Sequence, residues 1–369
     1  MTISIFHTAD IHIGMMFNKY PDDIKVSLRE ARVEVLENMI DIANENNCQI
    51  FAITGDLFDK TTGIDKKTIL KASKHLRKFN GNCLLLLPGN HDFDNGMIDL
   101  WKTFNDAMDD KLLFLRNEQP YKLDDYGVEA TVYPAPCHSK HSTDNNLSWI
   151  KESEIDKSRV NIGIAHGSLK GISPDLDNTY FSMGIDELMS IPVDLWLLGH
   201  SHIVYPEADT INNWTIFNPG TPEPDGLDCS HMGNSFIITI NDDKSTTSKR
   251  VQTGKHSFID KQFRITDYED FVNMKDYFDT QHENTIARIQ LKGKVDEDIF
   301  SLRNDFIKKI EEKISCLIVE DTELRIRINK EKIEKEFTNG SFPEQFLLEL
   351  KDEEEALQLA YEMIMEVKR

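Results

Sequence analysis

Five short polar clusters in this sequence carry side chains of the types that bind divalent cations. Each places Asp, Asn or His beside glycine or another small residue. The clusters are Asp10-Ile11-His12, Gly55-Asp56, Gly89-Asn90-His91-Asp92, His166-Gly167 and Gly199-His200-Ser201-His202. Where two of these side chains are two residues apart, as in the first and last clusters, an extended backbone directs both to the same side. The glycines permit sharp turns and close backbone approach.

Each cluster follows a short apolar run that is typical of a strand buried on both faces. The runs are residues 3–6, 50–54, 83–87, 160–165 and 195–198. Helical periodicity lies between them, for example over residues 26–44 and 67–79. Alternating strands and helices predict an α/β fold, in which loops at the carboxyl ends of the strands converge on one crevice. We therefore expect the five clusters to meet there.

The donor groups are too numerous for one four-coordinate ion. Two divalent ions about 3.5 to 4 Å apart, bridged by one carboxylate, use such a set fully. A mixture of carboxylate, amide and imidazole donors favours manganese, iron or zinc over calcium. A water between two such ions loses a proton near neutral pH, and the resulting hydroxide can attack phosphorus in line. The donor set therefore indicates hydrolysis of a phosphoester.

The series DxH, GDxxD, GNHD, H and GHxH, over roughly residues 3–240, resembles the metallophosphoesterase (calcineurin-like) superfamily. The stretches FHTADIHIG and NPGTPEPDG are similar to those of SbcD-type nucleases of DNA double-strand-break repair, including the YhaO-like branch. This resemblance implies a four-layer α/β/β/α sandwich. It also implies a C-terminal module that carries helices.

The resemblance implies seven metal ligands, which are Asp10, His12 and His202 for the first ion, Asn90, His166 and His200 for the second, and Asp56 bridging both. His91 would contact the phosphate and stabilise or protonate the leaving oxygen, and Asp92 would orient His91. Asp59 stands where some members carry a histidine for exonuclease work, so its role stays open. Thr221 and Pro222 are interpreted as turn formers.

The composition limits the function further. The 369 residues carry a net charge of −22, which argues against a simple polyanion-binding surface. No apolar run reaches the roughly 18 to 20 residues of a membrane span, and the N-terminal residues do not resemble a secretory signal. Five scattered cysteines without a CxxC motif indicate reduced thiols and a cytoplasmic protein.

We expect three parts along the chain. Residues 1–255 form the catalytic domain, residues 256–335 a small α+β capping module, and residues 336–369 a helical tail. The apolar series from Leu357 to Ile364 is either an internal packing face or a stripe that fits a partner's groove. The resemblance implies that such a tail docks on an SMC-like coiled-coil ATPase, and that the catalytic domain forms a homodimer.

The leading hypothesis is a manganese-dependent DNA phosphodiesterase, with exonuclease or endonuclease activity, acting as the nuclease subunit of an SbcCD-like complex. Two cations add about four positive charges at the phosphate, and Lys60, Lys66, Lys67 and Lys71 are either a local phosphate track or a solvated helix face. One alternative is a phosphodiesterase or phosphatase of small molecules or nucleotides. The other is a catalytically silent scaffold for an ATPase. The sequence after Asp59 lacks the arginine with which protein phosphatases of the superfamily hold phosphate.

Overall fold

The computed structural model describes residues 2–175 and 177–368, and the chain divides into two compact units, Met1–Phe258 and Ile259–Arg369. The N-terminal unit contains all five polar clusters. Its strands are β1 (Ile3–Thr8), β2 (Ile50–Thr54), β3 (Cys83–Leu87), β4 (Leu112–Phe114), β5 (Tyr121–Lys122), β6 (Ala130–Ala135), β7 (Val160–His166), β8 (Leu195–Gly199), β9 (Thr210–Asn212), β10 (Ile216–Phe217), β11 (Asn234–Ile240) and β12 (Thr246–Gln252). Its α-helices are α1 (Asp22–Glu45), α2 (Lys66–Leu76), α3 (Asp99–Asn105), α4 (Ser148–Glu152) and α5 (Ile185–Ser190).

Two sheets organise this unit. Within the described residues, one sheet has the order β4-β3-β2-β1-β11-β12-β9 and the other the order β10-β8-β7-β6-β5. Strands β1 to β4 run parallel, and so do β6, β7, β8 and β10. Parallel neighbours end at the same edge of a sheet, so the loops after β1, β2 and β3 lie together, as do those after β7 and β8.

The two faces of the first sheet belong to different apolar clusters. Phe51 and Ile53 pack with helices α1 to α3, whereas Ile50 and Ala52 pack with the second sheet, as the period of two in a strand requires. A third cluster joins the other face of the second sheet, including Trp196, to α4 and α5. The mixed α/β class is confirmed. The complete four-layer order stays a prediction, and these clusters support it.

The C-terminal unit has its own sheet and its own apolar clusters. Its elements are β13 (Ser257–Arg264), α6 (Tyr268–Asp279), β14 (Thr285–Val295), α7 (Glu297–Ser301), α8 (Arg303–Glu311), β15 (Cys316–Ile326), α9 (Lys330–Glu336), α10 (Phe342–Glu349) and α11 (Glu354–Lys368). The strand order is β13-β14-β15, with β14 and β15 parallel. One cluster packs α6 and α8 on this sheet, and another joins α9, α10 and α11. The predicted boundaries at residues 255 and 335 stay predictions.

Helix length and composition bear on the membrane question. Across the part of the chain that the structure describes, no helix is both long enough and apolar enough to cross a bilayer.

Candidate metal centre

The donor residues lie at the carboxyl ends of five strands. Asp10 and His12 follow β1, Asp56 follows β2, and Asn90 follows β3. His166 is the last residue of β7, and His200 and His202 come directly after β8. The side chains of Asp10, His12, Asp56, Asn90 and His166 are buried. The two sheets thus deliver the seven predicted ligands from positions up to 192 residues apart (Asp10 to His202).

The backbone at this edge is strained. Asp10, His12 and Asp56 have φ values of 55°, 50° and 53°, a left-handed conformation that residues with a Cβ seldom adopt. Each such residue costs on the order of 1 to 3 kcal/mol. Hydrogen bonds from the first loop to the second offset this cost, because the N–H of Asp10 donates to the carbonyl of Gly55 at 3.1 Å and the N–H of His12 donates to the carbonyl of Asp56 at 2.9 Å.

Glycine is required where the second loop passes His166. Gly55 has a φ of 102°, and a Cβ placed on it would lie 2.0 Å from Nδ1 of His166. Any side chain at this position would displace the imidazole. The glycine of the GD motif is therefore a steric requirement of the site.

The first donor group consists of Asp10, His12 and His202. One donor atom from each lies within 4.8 Å of the others. Nε2 of His12 is 3.2 Å from Nε2 of His202, and each of these nitrogens is 3.9 Å from Oδ1 of Asp10. The backbone N–H of His200 donates to the same carboxylate at 2.9 Å. This group contains all three residues predicted for the first ion.

The second donor group consists of Asp56, His166, His200 and Asn90. Donor atoms of Asp56, His166 and His200 lie within 4.8 Å of one another. Oδ1 of Asn90 is 3.0 Å from Nε2 of His166 and 3.1 Å from Nδ1 of His200. The three residues predicted for the second ion are therefore neighbours.

Asp56 lies between the two groups. Its Oδ2 is 3.7 Å from Nε2 of His12 and 3.3 Å from Nε2 of His166. Its Oδ1 accepts the backbone N–H of His91 at 2.9 Å. One carboxylate is thus shared by both groups, as a bridging ligand must be.

The arrangement of His166 fits a cation. Its Nδ1–H donates to the carbonyl of Thr54 at 2.8 Å, so Nε2 of a neutral ring turns a lone pair toward the oxygens of Asn90 and Asp56. Lone pairs in such contact repel one another unless a proton or a metal ion lies among them. Burial lowers the pKa of His166, but the charge and hydrogen bond of Asp56 outweigh it and raise this pKa to about 9. A divalent cation satisfies the same atoms without the proton, so the residues fit a metal pair.

Burial shapes the protonation of the other donors. It raises the pKa of Asp10 to about 6 and lowers the pKa of His200 to about 3. It also lowers the pKa of His12 well below the usual value. For Asp56, burial acts upward, but the adjacent His166 outweighs it and holds the pKa well below the ordinary range. His12 and His200 are therefore neutral near pH 7, which is the form that binds metal.

The structure corrects the predicted support of His91. The ring of His91 is held by the carbonyl oxygen of Asp59, 3.0 Å from Nδ1. The carboxylate of Asp92 instead accepts the backbone N–H groups of Phe58 at 3.0 Å and Gly89 at 2.8 Å. Asp92 thus joins the second and third loops, because its side chain turns back into the backbone of both. The carboxylate of Asp59, whose role the sequence left open, lies 3.8 Å from Nδ1 of His12.

Asp225 was missed as a functional residue. Its Oδ2 accepts the Nδ1–H of His202 at 2.7 Å. Burial acts to raise the pKa of Asp225, but the hydrogen bond from His202 outweighs burial and holds this pKa below its usual range. A carboxylate behind a metal-binding histidine fixes its tautomer and orientation. The signal was present in NPGTPEPDG, which contains Asp225, but this stretch was used only for the family resemblance and for a turn, and Asp225 was given no role.

Comparisons with known proteins agree with this geometry. The family model for calcineurin-like phosphoesterases matches residues 3–204. Among curated proteins, the DNA double-strand break repair protein Mre11 of Methanopyrus kandleri is 24% identical over 234 residues, which are 59% of this chain and 48% of that protein. The chain thus spans about half the length of that relative.

Among solved structures, the NAD nucleotidase NadN of Haemophilus influenzae aligns with 85% of this chain and 60% of its own, at 11% identity and a TM-score of 0.33. So low a score carries no argument about fold or substrate. The family match, in contrast, covers more than half of the chain and includes all seven donor residues. This chain belongs to the calcineurin-like phosphoesterase family.

Proposed function

We propose that this protein is a metal-dependent phosphodiesterase that cleaves DNA and uses two divalent cations, with manganese as the physiological metal and iron or zinc as substitutes. The observation that carries the proposal is the position of Asp56. Its Oδ2 lies 3.7 Å from His12 in one donor group and 3.3 Å from His166 in the other. A shared carboxylate between two mixed N/O donor sets is the arrangement that two-metal hydrolysis of phosphoesters requires.

The seven donors have distinct duties in this proposal. Asp10, His12 and His202 would hold one cation, Asn90, His166 and His200 the other, and Asp56 both. When bound, the pair supplies an acidified water and neutralises charge on the phosphate. The chain contributes rigidity, because burial, backbone hydrogen bonds between the first two loops and the carbonyl of Thr54 fix the donors before substrate arrives.

His91 is the proposed general acid. Its backbone N–H donates to Asp56, and its Nδ1–H donates to the carbonyl of Asp59. These two hydrogen bonds hold the ring of His91, whose centre lies 4.8 Å from the centre of the His12 ring. In the imidazolium form, Nε2–H would donate to a phosphate oxygen and pass its proton to the leaving oxygen, which leaves the ring neutral. Asp92 serves this step indirectly, through the turn that carries His91.

Two observations support DNA as the substrate. The curated relative from Methanopyrus kandleri bears the name of a DNA double-strand break repair protein. Lys66, Lys67 and Lys71 are exposed on α2, and Lys60 lies in the loop before it, close in sequence to Asp56. Phosphate contacts dominate affinity for nucleic acid and need only a local cationic track, so the net charge of −22 does not oppose the proposal.

The same proposal includes a cytoplasmic repair complex of the SbcCD type, in which this chain is the nuclease subunit, forms a homodimer and binds an SMC-like ATPase. The helical tail supports the ATPase contact. Phe342, Met363 and Val367 are 78%, 60% and 89% exposed on α10 and α11, and apolar side chains of this kind are what a partner would cover.

The test uses metal-free protein reconstituted with manganese and assayed on linear duplex DNA beside cyclic nucleotides. We expect cleavage of DNA that needs manganese and is lost on chelation. Asn90→Ala should lower both cation binding and cleavage, whereas His91→Ala should lower cleavage alone. Turnover of the small substrates alone would favour a small-molecule phosphodiesterase. Hydrolysis unaffected by either substitution would favour the scaffold.

A further inference from the structure

A buried arginine lies beside the first donor group. Arg32 is in the middle of α1, and its side chain has no exposed surface. Burying a guanidinium costs several kcal/mol unless hydrogen bonds and opposite charge compensate for the lost water. The helix neighbours of Arg32 on this face include Leu28 and Leu36, both fully buried. The groups that offset the cost therefore identify what the arginine supports.

The first of these groups is the loop after β1. Nη1 of Arg32 donates to the carbonyl of Ile11 at 3.0 Å and lies 3.5 Å from that of Asp10. Ile11 stands between Asp10 and His12, which both have left-handed backbones. Arg32 thus binds the carbonyls of the strained turn that presents two donors of the first group.

Thr221 extends this support. Nη1 of Arg32 donates to Oγ1 of Thr221 at 3.2 Å. The Thr221 hydroxyl lies 3.0 Å from the carbonyl of Asp10 and 2.7 Å from that of Glu223, and donates its proton to one of them. The residue that the sequence indicated as a turn former therefore connects the segment before Asp225 to the segment that carries Asp10.

The third donor of the group is reached through Asp225. Nη2 of Arg32 forms an ion pair with Oδ2 of Asp225 at 3.9 Å, and this oxygen also accepts the Nδ1–H of His202. The guanidinium therefore lies beside the carboxylate that orients His202. Arg32 therefore contacts the turn that carries Asp10 and His12 directly, and it reaches His202 through Asp225.

We propose that Arg32 is a positioning residue. It supports the donor group of the first cation and not that of the second. The inference rests on the proposed two-cation centre. The contacts of Arg32 with described residues go to the Asp10 turn, Thr221, Asp225 and the ring of Phe17, which it faces at 5.7 Å. The second donor group has separate support, from the carbonyls of Thr54 and Lys140.

The test is a manganese titration of metal-free protein, followed by calorimetry and by the electron paramagnetic resonance of the bound ions. Wild-type protein should bind two ions and give the spin-coupled signal of a pair. Arg32→Lys and Arg32→Met should weaken one step by about 10- to 100-fold, the usual effect of removing support behind a metal ligand. At intermediate manganese they should give the six-line signal of an isolated ion.

Matched variants identify the weakened step. Arg29→Met removes an exposed arginine from the same helix and should leave both steps unchanged. Asn90→Ala removes a donor of the second group and should weaken the other step. If Arg32→Met does not fold, Thr221→Val removes one acceptor of Nη1, keeps the arginine, and should weaken the first step several-fold.

Folded Arg32→Lys protein with two wild-type affinities, or with equal losses at both steps, would overturn the selective role of Arg32. With either of these outcomes, the proposed two-cation centre is kept as long as the wild-type protein binds two ions. Wild-type protein that binds no cation would overturn the proposed function and this inference with it.

Discussion

The two donor groups differ in what supports their ligands. Side chains support the first group. The carboxylate of Asp225 accepts the Nδ1–H of His202 at 2.7 Å, and the carboxylate of Asp59 lies 3.8 Å from Nδ1 of His12. Behind the second stands backbone, since the carbonyl of Thr54 accepts from His166 at 2.8 Å and that of Lys140 from Asn90 at 3.4 Å. A backbone carbonyl survives substitution of its residue, whereas a carboxylate does not. The first group should therefore be the more sensitive to mutation outside the ligands.

The largest expected effect comes from the residue that the groups share. Asp56→Asn removes the charge between His12 and His166, so we expect loss of both cations and a fall in turnover on the order of 10³-fold or more. Metal content after dialysis and steady-state kinetics check this. Asp23→Asn, exposed in the first turn of α1, is the control. Retention of one tightly bound cation would show that Asp56 serves a single group.

Next in size is the loss of side-chain support behind the first group. Asp225→Asn keeps the shape but weakens the orientation and basicity of His202, so affinity for one cation should fall by about 10- to 100-fold while the other is retained. The measurement is the two-step manganese titration. Asp228→Asn, three residues away, serves as the control. Equal weakening of both steps would remove the contrast between the groups.

The free energy of unfolding should fall in acid because of a buried histidine next to Thr54. His7 lies 3.1 Å from Oγ1 of Thr54 and 3.0 Å from the carbonyl of Leu198, and burial lowers its pKa to about 3. The contribution of neutral His7 to the free energy of unfolding is complete above the ordinary histidine pKa of 6.5. It declines toward pH 3, because in this range only the unfolded chain takes up the proton. The decline is at most about 1.4 kcal/mol per pH unit.

Denaturant unfolding of metal-free protein between pH 7 and pH 5 measures this decline. His7→Gln should flatten the pH dependence of the free energy of unfolding, and the exposed His282→Gln should not. An identical slope in wild type and His7→Gln would mean that other groups account for the acid sensitivity.

The smallest expected effect tests the backbone support directly. Thr54→Val keeps the carbonyl that holds His166 and removes a hydroxyl that donates to Leu198 at 2.8 Å. We expect both cation affinities to stay within about threefold while the free energy of unfolding falls by about 1 kcal/mol. A large loss of affinity at the second step would mean that the side chain, not the carbonyl, supports His166.

The meeting of the five clusters was predictable because each follows a short apolar run typical of a buried strand, and parallel strands end at the same edge of a sheet. The hydrogen-bond partner of His91 was not predictable, since the choice between Asp92 and the Asp59 carbonyl depends on loop geometry.

Strand β6 was missed because Pro134 interrupts its pattern. Arg32 carried no signal, because an arginine within an amphipathic helix normally reaches water.

The assembly of the centre from five strand ends on two sheets has a thermodynamic consequence. An unfolded chain cannot gather Asp10, Asp56, Asn90 and the three later histidines, so cations held by these donors would bind almost only to the native state. Ligands with that preference raise the free energy of unfolding by about 2.7 kcal/mol at a hundred times their dissociation constant. The heat resistance of the N-terminal unit should therefore vary with the concentration of divalent cation, and melting curves would report occupancy without any substrate.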